Sequence, residues 1–173
     1  DALAKQANLL YKKENLSTTD LQEIQNFVIV ALLGGIYIPP RRSLDYCNFK
    51  IKNIDPALNY LDKKTLTFCS YKTAKTYGCQ KLESPPALLK ILKKWISINK
   101  TDWLLFDTNG NKLSPVKLNQ RLNKIFKGNI SVNALRHCYL TGKYAETIKV
   151  NEDIASDLAE MGSSFSQSQN YIK

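Results

Sequence analysis

Residues Ser17–Tyr46, STTDLQEIQNFVIVALLGGIYIPPRRSLDY, decide the fold. The cluster Ser17-Thr18-Thr19-Asp20 offers side-chain oxygens to the free N–H groups of a helix start. Leu21, Ile24, Phe27, Val28, Ala31 and Leu32 then step by three and four, which gathers apolar side chains on one helical face. Gly34-Gly35 stops that helix, and Pro39-Pro40 bars its continuation. The segment Arg41-Arg42-Ser43-Leu44-Asp45-Tyr46 reads as a short helix started by the prolines. Two arginines therefore sit at a turn just past a buried helix.

The remaining chain builds outward from this helix. Leu3, Ala7 and Leu10 predict an earlier helix over Ala2–Leu10. Leu66–Tyr71 and Thr76–Leu82 read as two strands joined by a tight polar turn at Lys72–Lys75, and the alternation in Phe49–Ile54 reads as a third strand. Pro85-Pro86 opens a helix to Ile98, with Leu88, Leu89, Leu92, Trp95 and Ile96 as its buried stripe. Trp103–Phe106 is a short apolar stretch before the Asn109-Gly110 turn. Ser114-Pro115 starts a helix to Phe126, Ser131 caps one to Glu146, and Asn151 caps one to Met161. A last short helix holds Tyr171. The expected class is mainly α (α+β), a helical domain with a small antiparallel three-stranded sheet.

Composition narrows the function. The 173 residues are 43% hydrophobic and 23% charged, values of a globular protein and not of a disordered tail or a membrane bundle. The longest apolar run, Phe27–Leu33, falls far short of the ~18 residues a membrane span needs, so no membrane partner is expected. No basic-then-apolar leader opens the chain. It starts at Asp and not Met, which reads as a piece of something larger.

Cys47, Cys69, Cys79 and Cys138 form no CxxC pair, and the single histidine, His137, cannot complete a zinc set. They read as reduced cysteines of a cytosolic or nuclear protein, with a Cys69–Cys79 bridge across the hairpin left open. The net charge of +10 points to a polyanionic partner. Nucleic acid is favoured over an anionic membrane because the lysines are spread along the chain.

Arg42 follows a helix stop and a Pro-Pro turn, Lys72 lies at a hairpin tip, Arg136 is in a capped helix and Tyr171 follows a Gly-Ser-Ser break. Composition alone does not select these four; the resemblance given below does. Two guanidiniums can clamp a phosphate and stabilise charge that develops on it. A phenol can act as a covalent nucleophile, and an ammonium can protonate a leaving oxygen. Asn133 precedes Arg136 by three residues and shares its helical face. Each has a plain alternative. Arg41 rivals Arg42, Lys75 rivals Lys72, Arg136 could form a structural ion pair, and Tyr171 could be an aromatic staple. His137 reads as structural.

These segments, in this order, resemble the tyrosine recombinases, or phage-type integrases. Arg42-Ser43-Leu44-Asp45-Tyr46 is similar to the family's first-arginine box, with Asp45 at its acidic position. Lys72 in Tyr71-Lys72-Thr73-Ala74-Lys75 resembles the hairpin lysine. Asn133-Ala134-Leu135-Arg136-His137 resembles the second-arginine box, and Leu158–Ser164 through Tyr171 resembles the closing segment with its nucleophile. The sequence departs at the family's two histidine positions, which are Asn133 and Ser163 here. Asn133 can hydrogen-bond but cannot act as a base, and Ser163 carries no charge.

The resemblance implies one catalytic domain over residues 1–173, preceded in the whole protein by an N-terminal DNA-clamping domain. It implies metal-independent cleavage and rejoining of double-stranded DNA through a 3′-phosphotyrosyl link, with no cofactor. The catalytic set would be Arg42, Lys72, Asn133, Arg136, Ser163 and the nucleophile Tyr171. Arg41, Lys75, Lys81, Lys117, Arg121 and Lys124 would meet the DNA backbone. The whole protein is expected to form a homo-oligomer, a tetramer, on DNA, and this piece alone a monomer. It would act in the cytoplasm or nucleus of a host cell. The Lys- and Asn-rich composition and the Pro-Pro-Arg-Arg turn point to a viral or mobile-element source. A catalytically weakened or inactive DNA-binding relative is the alternative, and a type IB topoisomerase-like nicking-closing enzyme is the third reading.

Overall fold

The computed structural model of the chain describes residues 2–160. The expectations for Ser163, for Tyr171 and for the closing short helix lie outside the described residues. Two compact units are present. The first, Asp1–Arg136, holds the sheet and the core; the second begins at His137.

In the first unit, α1 (Ala2–Leu10) packs on α2 (Thr18–Leu33), the central helix. Ser17 caps α2: its hydroxyl accepts from the Asp20 N–H while the Asp20 carboxylate accepts from the Ser17 N–H. Gly34 ends the helix where a Cβ would meet the Val30 carbonyl at 2.6 Å, and Gly35 turns the chain with φ of 73°. The chain then reaches α3 (Ser43–Cys47), whose N-cap is Arg42.

A four-stranded mixed sheet follows, in the order β1-β2-β3-β4. Its strands are β1 (Phe49–Lys50), β2 (Asn59–Asp62), β3 (Thr65–Phe68) and β4 (Gln80–Glu83). This corrects the expected three-stranded antiparallel sheet. The Phe49–Ile54 strand shortens to two residues and pairs parallel to β2, a strand the sequence hid. The β2–β3 turn is Lys63-Lys64, which carries none of the Asn-Gly or Asp-Gly chemistry that marks a hairpin. The expected tight turn at Lys72–Lys75 is a longer loop containing a single helical turn, α4 (Ala74–Tyr77).

Cys69 and Cys79 form a disulfide, correcting the reading of four reduced cysteines. They lie one step beyond the last β3–β4 pair, Phe68 opposite Gln80, so register brings them face to face.

Next come α5 (Pro86–Ile98), α6 (Pro115–Phe126) and α7 (Val132–Glu160). The core joins Ile24, Val28 and Leu32 of α2 to Tyr46, Phe49, Phe68, Leu92 and Trp95. Trp95 stacks on Phe106 and donates its indole N–H to the Leu104 carbonyl at 2.8 Å. The two helices expected from Ser131 and Asn151 are one. Residues 146–151 contain no Gly or Pro, and a cap-type Asn without a breaker does not end a helix. In the second unit, α7 exposes Leu140, Tyr144 and Val150. No described helix is long and apolar enough to cross a membrane.

Candidate active site

Pro39 and Pro40, α3, the loop after β3, strand β4 and Arg136 surround one open pocket of about 660 Å³. Its floor is organised by Asp45, which is 3% exposed. The Arg41 Nε donates to Asp45 Oδ2 at 2.8 Å, one helical turn apart. Arg41 also donates to Gln80 Oε1 at 3.0 Å, and its guanidinium lies 4.0 Å from the centre of the Phe68 ring. Two of its five N–H groups are thus engaged inside the protein.

Arg42 differs. Its carbonyl accepts from the Asp45 N–H at 3.1 Å, which fixes the backbone at the N-cap of α3. Its guanidinium has no hydrogen-bond or ion-pair partner among the described residues. Arg136, in the first turns of α7, lines the same pocket. Burial pushes the Asp45 carboxyl above the usual carboxylate range, against the pull of Arg41, Arg42 and Arg136. The Asp45 Oδ1 is buried without a hydrogen-bond partner among the described residues. An anion entering here meets two half-buried guanidiniums that no internal carboxylate fully neutralises.

Against solved structures, the chain is similar to the XerH site-specific recombinase bound to difH substrate in a pre-cleavage complex. That match is 18% identical with a TM-score of 0.48, and covers 83% of this chain and 41% of that chain. No family model and no curated protein matches the chain.

The other expected site residues are spread over the first unit. Lys72 is exposed in the loop after β3; its neighbours Tyr71 and Thr73 line the pocket, while Lys72 itself does not. Lys75 is exposed on α4, and Lys81 on β4 lines the pocket rim. Asn133 is exposed one turn before Arg136 and is not among the lining residues.

Lys117, Arg121 and Lys124 line a different cleft, of about 340 Å³, between α2 and α6. There Lys117 bridges to Asp107 at 2.8 Å and holds that carboxyl below its usual range. Burial lowers Arg121, which donates to the Gln22 side chain. Of these three, only Lys124 is exposed without an internal partner among the described residues. No three His, Cys, Asp or Glu side chains gather as a metal-ligand cluster among the described residues.

Sequence reasoning missed Asn59, Tyr71 and Gln80. Asn59 is fully buried and bonds to both sides of the site. The Tyr71 hydroxyl closes the loop by donating to the Gly78 carbonyl at 2.8 Å. Asn59 carried no signal because its strand was unseen.

Proposed function

We propose that the chain is the catalytic domain of an enzyme that cleaves and rejoins double-stranded DNA through a 3′-phosphotyrosyl intermediate, the chemistry of a tyrosine recombinase or integrase. The observation that carries this reading is that Arg42 and Arg136, far apart in the first unit's sequence, line one pocket.

In this reading the scissile phosphate occupies that pocket, and the two guanidiniums hold its non-bridging oxygens. They stabilise the charge that grows as phosphorus becomes five-coordinate. The Tyr171 oxygen attacks phosphorus, the bond to the 5′ oxygen breaks, and Lys72 gives that oxygen a proton so that it leaves as a hydroxyl. The same steps in reverse, with a second 5′ hydroxyl as attacker, rejoin the strand. Asn133 and Ser163 contribute hydrogen bonds at most, so the phenol proton passes to solvent water and not to a histidine base. Lys81, Lys75 and Arg41 border the phosphate path. The DNA-laden assembly is a homo-oligomer, and its work lies in the cytoplasm or nucleus, where a viral or mobile element meets its target.

The test is incubation with nicked duplex DNA of the cognate site, followed by a search for a denaturant-resistant protein–DNA adduct. An adduct that Tyr171→Phe abolishes supports the reading; an adduct unchanged in that variant removes Tyr171 from the role.

Asn133, exposed and off the pocket, favours a second reading: a DNA-binding relative that does not cleave. It predicts salt-dependent binding with no adduct on any nicked substrate. In that case, Asn133→His combined with Ser163→His would generate an adduct only if the missing histidines are what limits the chemistry.

A further inference from the structure

Asn59 is 0% exposed at the start of β2 and uses every hydrogen-bonding position its amide has. Its Nδ2 donates to the Asp45 carbonyl at 2.6 Å and to the Ser70 carbonyl at 2.9 Å. Its Oδ1 accepts from the Cys69 N–H at 2.9 Å and the Ser70 N–H at 2.7 Å. The residue pairs with Phe68 at the last rung between β2 and β3. Beyond that rung the backbone of Cys69 and Ser70 has no strand to bond to, and the Asn59 side chain takes the strand's place.

This amide joins the two halves of the proposed site. On one side, the Asp45 carbonyl belongs to α3, whose N-cap is Arg42, and the Asp45 N–H donates to the Arg42 carbonyl at 3.1 Å. On the other, Ser70 lies two residues before Lys72. An unbroken series of hydrogen bonds therefore runs from the Arg42 backbone through Asp45 and Asn59 to the root of the Lys72 loop. Asn48 adds a lesser tie, donating to Ser70 Oγ at 3.1 Å. Asp would set carboxylate oxygens against two carbonyls, Gln is too long, and Ser too short.

We propose that Asn59 is a positioning residue for strand cleavage: it fixes the spacing between the Arg42 turn and the Lys72 loop, so that the lysine meets the leaving oxygen of a phosphate held by the arginines. The inference rests on the reading in which Lys72 protonates that oxygen. Misplacing such a group by about an ångström costs on the order of 10²-fold in rate.

The experiment uses the full 173-residue chain and two nicked duplexes. One has the ordinary phosphodiester; in the other, sulfur replaces the bridging 5′ oxygen. A thiol has a pKa of about 8.5, so a thiolate leaves without a proton and no longer needs the acid. The expected result is that Asn59→Ser slows adduct formation about 10²-fold on the oxygen duplex. On the sulfur duplex its rate returns to that of the parent chain, and its affinity for DNA is unchanged.

Equal slowing on both duplexes would mean that Asn59 is merely structural, and overturns the proposal. Lys72→Ala is the control for the underlying reading. If sulfur restores Lys72→Ala but not Asn59→Ser, the proposal alone fails. If sulfur restores neither, Lys72 is not the acid and the reading beneath falls first. A parent chain that forms no adduct on either duplex overturns both. Should Asn59→Ser not fold, Asn48→Ala must show the same oxygen-selective slowing at smaller size; equal rates with the parent on both duplexes would overturn the proposal.

Discussion

Arg41 and Arg42 are neighbours with opposite work, and truncating each in turn separates them. Arg41 is the partner of a carboxylate that is 5% exposed, and its own side chain is 20% exposed. Removing one member of a buried ion pair costs about 3–5 kcal/mol, because the remaining charge is left unpaired. The Phe68 face under the guanidinium adds about 1 kcal/mol. Against this, burial already raises the Asp45 carboxyl, so it can relieve itself by taking a proton.

The lower end of the range, about 3 kcal/mol, is therefore expected for Arg41→Ala at neutral pH. For a chain of this size that lowers Tm by about 6–12 °C. The loss should shrink as pH falls, since a protonated Asp45 needs no cation. Arg42, without a partner among the described residues, should change stability by no more than about 0.5 kcal/mol when cut to Ala. Thermal and urea unfolding of the two variants at pH 7 and pH 5 give the comparison. Equal destabilisation by both substitutions would refute the assignment of Arg41 to the scaffold and Arg42 to the ligand.

Three further outcomes are expected. Reducing Cys69–Cys79, or replacing both by Ser, should lower stability by about 3 kcal/mol through the freed loop, measured as a shift in urea midpoint. The Asp20 carboxyl is lowered to about 2 by its hydrogen bonds to Lys13 and Ser17. Its contribution is present above the unfolded value of about 3.9 and lost as pH falls towards 2. The stability gap between the parent and Asp20→Asn should therefore close over that interval, as followed by circular dichroism. Lys81→Ala should reduce the slope of log affinity for DNA against log salt by about 0.9, whereas Lys117→Ala, whose ammonium is tied to Asp107, should change it less.

The helical frame was legible because its signals are local. The capping box at Ser17, the three-and-four spacing through Leu32, and the prolines at 86 and 115 each act within a few residues, and α1, α2, α5 and α6 form where they indicate. The sheet was less legible. Strand β2 is four residues long and closes on a Lys-Lys turn, so neither alternation nor turn chemistry announces it. Without β2 the fourfold bonding of Asn59 cannot be foreseen, whereas the Cys69–Cys79 bridge, which depends on the β3–β4 pairing, could be raised as an open alternative.

The gathering of Arg42 and Arg136 depends on contacts between segments distant in sequence. Periodicity alone could not supply it; only the resemblance in motif order suggested it. Lys117, Arg121 and Lys124 line a second cleft, where Lys117 and Arg121 are tied to internal partners.

The most direct test is a double-mutant cycle on adduct formation, using Arg42→Ala, Arg136→Ala and the pair on one nicked duplex. If both guanidiniums hold the same phosphate, the double variant should depart from the sum of the single effects by about 0.5–3 kcal/mol of activation free energy. Effects that add within about 0.5 kcal/mol would place the arginines on separate tasks and contradict the shared clamp.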